Sequence, residues 1–147
     1  MITDAQIIDN PMIRDMNGQH NGVSNNRKLI RSPWDLEVFK RAYAISLEIH
    51  KKTLVFPKIE QYALADQLRR ASKSICANIG EGFIKQKYSR AEFARFITIA
   101  EASACEVQVW LRYACDLEYI TQQEFAKWDD DFQAVGSMLA KLRNKLN

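Results

Sequence analysis

Residues 125–146 read FAKWDDDFQAVGSMLAKLRNKL. Phe125, Trp128, Phe132, Val135, Leu139, Leu142 and Leu146 recur at alternating steps of three and four. On a helix of about 3.6 residues per turn this heptad pattern puts every large apolar side chain on one stripe. Such a stripe has to be buried against another element, so the helix implies partners. Gly136 interrupts it at a cost of roughly 1 kcal/mol relative to alanine. A neighbouring helix coming close there is the expected reason.

The same periodicity recurs upstream. Ser89 and Glu92 have the spacing of a capping box, as do Thr121 and Glu124. Between them Phe93, Phe96, Ala100, Ala104, Val107, Leu111 and Ala114 form a row on a long helix ending near Leu117. Another helix is expected from about Tyr62 to Phe83, on the row Leu64, Leu68, Ala71, Ile75 and Ile79. The first opens at Ser32–Pro33, a cap followed by proline in the first turn, and ends before Pro57. Its rows are Val38, Ala42, Ile45, Ile49 and, beside them, Phe39, Tyr43, Leu47. No segment alternates with the period of a strand. The expected architecture is an all-α, antiparallel up-down four-helix bundle over residues 33–147. Residues 1–32 are polar, rich in Asn and Gly, and read as a flexible arm, with one short apolar piece at Ile7 and Ile8.

Composition excludes several classes. The chain has 147 residues, 47% of them apolar, which suffices for one buried core. No apolar run reaches the roughly 18 residues of a membrane span, so no membrane partner is expected. Cys76, Cys105 and Cys115 are odd in number and far apart. They read as reduced, buried structural thiols in a cytoplasmic protein, without metal or cofactor.

The hexapeptide ANIGEG, residues 77–82, carries the chain's densest chemistry. A phosphate cradle would sit at a helix N-terminus, where free N–H groups point outward. These glycines come at the end of an apolar helical run instead. Glu81 has no second carboxylate or histidine at helical spacing, and no Glu-x-x-His sequence exists for a di-metal bundle. No catalytic residue is identified, and a non-enzyme is expected. The architectural reading makes Asn78 a half-buried amide. Gly80 and Gly82 become points of close helix approach or a left-handed helix end. Glu81 becomes an ion-pair partner for Arg69, Arg70, Lys73 or Arg95, or a solvated carboxylate.

Phe56–Pro57, Glu60, Tyr62, Gln67 to Ala71, Ser74–Ile75 and Asn78 to Gly82, with Ser103 and Glu106, form a longer pattern. It resembles the bacterial four-helix-bundle family first noted in intervening sequences of large-subunit ribosomal RNA genes. Gly80 stands where that family usually has Ala, and Ala63 where Gly is common. The resemblance implies a homopentamer around a central channel. It also implies kinship with the accessory variability proteins of diversity-generating retroelements, which are implicated in binding nucleic acid and a partner reverse transcriptase. Ile99, Trp110 and Tyr113 lie off the main row of the third helix, and a surplus apolar face often marks an interface.

Charge points the same way. Lys85, Lys87, Arg90 and Arg95 face Glu92 alone between residues 85 and 95. With Tyr88 available to stack on a base, and Arg69, Arg70 and Lys73 upstream, these residues are the candidate contacts to RNA or DNA. Asn78, Gly80, Glu81, Gly82 and Glu106 are the candidate structural or interface set. The alternative is a protein-interaction module whose basic residues form a solvated face and whose Arg69 and Arg70 make subunit contacts.

Overall fold

The computed structural model describes residues 29–147. Among them are four α-helices and no strand: α1 Glu37–Thr53, α2 Leu64–Lys85, α3 Arg90–Asp116 and α4 Gln122–Leu146. Residues 1–28 of the arm expected over residues 1–32 lie outside the described residues. Ile30, on the arm side of the expected boundary, is already buried.

Short connections make each helix run against the next. α2 packs most extensively on α3, then α3 on α4 and α1 on α2, and of the neighbouring pairs α1 and α4 touch least. That sparse seam is held by polar groups. Arg41 pairs with Asp131 at 3.0 Å, Lys52 with Glu124 at 2.9 Å, and Lys127 with Glu48 at 2.7 Å. Trp128 Nε1 also donates to Glu48, at 3.0 Å.

The apolar rows read from the sequence form the core. Leu68, Ile75, Phe93, Phe132 and Leu139 of these rows are fully buried, as is Ile97, which stood in none of them; each is worth about 1.5–3 kcal/mol against exposure. The exception is the second row of α1. Phe39 is buried, but Tyr43 and Leu47 remain 40% and 42% exposed.

Helix ends differ from expectation in four places. Pro33–Asp35 is a 3₁₀ turn, and α1 starts only after Leu36, which is extended and buried. The Asp35 carboxylate accepts from the Arg31 and Ser32 N–H groups and closes that turn separately. α1 stops at Thr53, where Gln61 Nε2 donates to the carbonyls of Thr53 and Phe56. α2 runs on to Lys85 through both glycines, neither with positive φ. Of the two alternatives for these glycines, the left-handed end is absent, because Ile79, Gly82 and Phe83 are buried against neighbours and the helix continues. Before α3 only half a capping box forms: Ser89 Oγ accepts from the Glu92 N–H, but the Glu92 carboxylate turns to Arg95. Thr121 and Glu124 form the complete box.

Candidate nucleic-acid interface

The seam between α2 and α3 accounts for the hexapeptide. An Asn at position 78 lies one turn after Ser74 on a helix, so its amide can reach back. Asn78 Nδ2 donates to the Ser74 carbonyl at 2.8 Å and to Ser74 Oγ at 3.0 Å. Ser74 Oγ in turn lies 3.0 Å from Ser103 Oγ of α3. Four residues on, a Cβ at Gly82 would stand 2.7 Å from Phe96 Cβ and 2.8 Å from Phe93 Cδ2. Gly82 is therefore the close approach. Gly80 and Gly136, for which the same role was expected, have nothing within 4 Å of an added Cβ. Glu81 is exposed and stands 3.8 Å from Lys85 on its own helix, rather than pairing across helices. Glu106 accepts from Trp110 Nε1 at 3.1 Å.

The basic residues divide into two groups. Arg69, Arg70 and Lys73 lie on the early part of α2, while Lys85 closes it; from Arg70 to Lys85 is roughly 22 Å of helix. Arg69 is turned inward. It donates to Thr53 Oγ1 and Gln61 Oε1, both at 3.2 Å, and to the Gln61 carbonyl. Its fork thereby fixes the connection between α1 and α2. Arg70 is exposed and 3.9 Å from Asp66, one turn earlier on the same helix. Lys73 reaches His50 Nδ1 at 3.0 Å. Burial, then the charges of Lys73 and Arg69, push the His50 pKa down.

The second group gathers at one end of the bundle. Here the 86–89 connection leaves Lys87 and Tyr88 exposed, Tyr88 by 87%. Arg90 crosses to α4, donating to the Lys145 carbonyl at 2.6 Å. A guanidinium on the last carbonyls satisfies a helix C-terminus and its partial negative charge. The contact also sets the connection beside Lys141 and Lys145, two cations the sequence reading did not include. They sit more than 50 residues away in sequence, and only the antiparallel return of α4 unites them with the loop. Lys85 and Arg95 both lie over the Phe96 ring, 5.1 and 4.6 Å from its centroid. Arg143 is taken by Glu101 at 3.1 Å. The result is a basic surface with one exposed aromatic, suited to phosphates and a stacked base.

The opposite end exposes large apolar side chains. Leu54, Val55, Ile59, Tyr62 and Leu117 are all exposed there, Tyr62 by 97%. Nearby, Glu118 has φ 63°, and Tyr119 donates to Glu60 at 3.0 Å. Of the thiols expected to be buried, Cys115 is buried and Cys76 half-buried, with burial pushing its pKa up to about 12. Cys105 is on the surface instead, facing a shallow groove between α3 and α4 that Gly136 leaves open. Among the described residues no cluster of His, Cys, Asp and Glu could hold a metal. No helix among them is long and apolar enough to cross a membrane.

A family model described as 23S rRNA-intervening sequence protein matches residues 34–141. A crystal structure of a protein of unknown function from the S23 ribosomal protein family of Bacteroides thetaiotaomicron VPI-5482 is similar, with a TM-score of 0.65. It is 25% identical, over 73% of this chain and 95% of that one. No curated protein matches.

Proposed function

The chain belongs to the 23S rRNA-intervening sequence protein family, and from there we propose that it is a non-enzymatic, homo-oligomeric nucleic-acid-binding bundle of the cytoplasm. The observation that carries the reading is the Arg90–Lys145 contact. It merges the cations of the 86–89 connection with those at the end of α4. Lys87, Lys141 and Lys145 make no ion pair among the described residues, so their charges are available to phosphate. Each contact releases counterions and adds modest, salt-dependent affinity. Copies in a ring would multiply that affinity without further contacts. A nucleic-acid-processing enzyme, a reverse transcriptase among them, is the matching class of protein partner.

Light-scattering mass on a sizing column, with absorbance at nucleic-acid and protein wavelengths, tests both parts. Five 17.0 kDa chains give a closed ring of about 85 kDa. That mass with excess nucleic-acid absorbance is the expected result. A monomer without bound nucleic acid contradicts it.

A second reading has its own observation. The exposed Leu54, Val55, Ile59, Tyr62 and Leu117 cluster at the end away from the basic surface, as in a module that binds protein. One stoichiometric protein partner recovered equally with and without nuclease favours that reading.

A further inference from the structure

A groove of about 610 Å³ runs between α1 and α2. One wall is aromatic: Trp34 lies edge-on to Phe39 and Tyr43, with centroids 4.7 and 4.9 Å away. Leu47 continues it, and Cys76 and Gly80 line the facing side. Three of these apolar residues are left substantially wet, Trp34 by 52% with Tyr43 and Leu47. At Gly80 the groove is open, since an added Cβ would meet nothing within 4 Å. Tyr43 and Leu47 belong to the second apolar row of α1, and the four helices leave these two uncovered.

The chain itself supplies an occupant of matching chemistry. Twenty-eight residues precede Leu29, and the chain enters the fold at this groove, through buried Ile30 and the Pro33–Trp34 wall. Within those residues Ile7, Ile8, Met12 and Ile13 are the one concentrated apolar group, flanked by polar sequence. Fifteen residues, 14–28, separate Ile13 from Leu29, a reach of up to about 53 Å, so the linker spans the groove with slack. We infer that residues 7–13 of the same chain dock in the α1–α2 groove and cover Trp34, Tyr43 and Leu47. The inference is independent of nucleic-acid binding.

Hydrogen exchange on the full chain tests it. Amides of residues 5–14 are expected to exchange at least tenfold more slowly than those of 16–26 in the same molecule. Gly80→Leu places a side chain in the groove and replaces glycine inside a helix by a better helix former. It should abolish that protection while leaving the melting temperature unchanged or higher. Ile8→Asp with Ile13→Asp should do the same from the other side, and should increase quenching of Trp34 fluorescence. Equal exchange of the two segments in the wild type overturns the inference, as does protection that survives both variants. Protection lost on dilution together with a fall in mass places the segment on another copy, and also overturns it.

Discussion

A Cβ added to Gly82 would lie 2.7 Å from the Cβ of Phe96, closer than packed carbon atoms tolerate. α2 and α3 therefore approach at a distance that only glycine permits at this position. Two residues earlier, Gly80 faces open space. The pair gives opposite expectations. Gly80→Ala should stabilise the fold by up to about 1 kcal/mol, through helix propensity alone. Gly82→Ala gains the same propensity, but overpacking costs about 1–3 kcal/mol, and Gly82→Val should be worse. Thermal unfolding of both alanine variants checks this: Gly80→Ala should melt above wild type and Gly82→Ala below it.

The Ser74–Asn78–Ser103 chain is expected to act as a unit. Asn78→Ala removes two bonds from a half-buried amide and should cost about 1 kcal/mol. Ser74→Ala and Ser103→Ala should be non-additive, because each deletes the other's partner. A double-mutant cycle in denaturant measures the coupling, and strict additivity would remove the network from the explanation of this motif.

Arg69 should behave as a structural residue. Its planar fork serves three acceptors at once, which a lysine cannot do. Arg69→Lys and Arg69→Ala should therefore both lower stability, by about 1.5–3 kcal/mol for the alanine. Arg70→Ala, at an exposed residue with a loose pair, should change it by less than about 0.5 kcal/mol. Chemical denaturation of the three variants separates the two roles.

The α1–α4 seam should weaken in acid. Hydrogen bonds from Lys127 and then Trp128 hold the Glu48 carboxyl below its ordinary value, against a smaller opposing effect of burial. A depressed folded-state pKa gives stability that is present above the unfolded value near 4.5 and is lost as pH falls through the folded value. Glu48→Gln should be less stable at pH 7 and show a flatter profile below pH ~4.5. Melting curves from pH 7 downward test the sign; an unchanged slope would show that Glu48 gains nothing from its partners.

Much of this fold was legible before any coordinates. The rows at steps of three and four on α2, α3 and α4 became buried stripes, because on a helix spacing alone fixes a face. Helix ends were less legible. Glycines 80 and 82 looked like a terminus, since propensity is local, yet burial of Ile79 and Phe83 outweighs two unfavourable residues. The candidate site was read only in part. Lys85, Lys87, Tyr88 and Arg90 fall within one stretch of six residues and were found together. Lys141 and Lys145 join them only through the return of α4, which no local pattern contains. Arg69 and Arg70 look alike in sequence, but helix phase turns one toward Gln61 and the other toward solvent. Cys105 escaped the buried class for a similar reason, standing beside the row rather than on it.

The most direct test is the salt dependence of single-stranded RNA binding, by fluorescence anisotropy, for the full chain and for the variant with Lys87→Glu and Lys145→Glu. Both positions are at the basic end, and the Arg90 contact is to the Lys145 backbone, which the substitution retains. The expected result is weaker binding whose salt slope falls by about 0.7 for each phosphate contact removed, with no change in melting temperature. Equal affinity and equal slope for the two proteins would contradict the assignment of the basic end as the nucleic-acid surface.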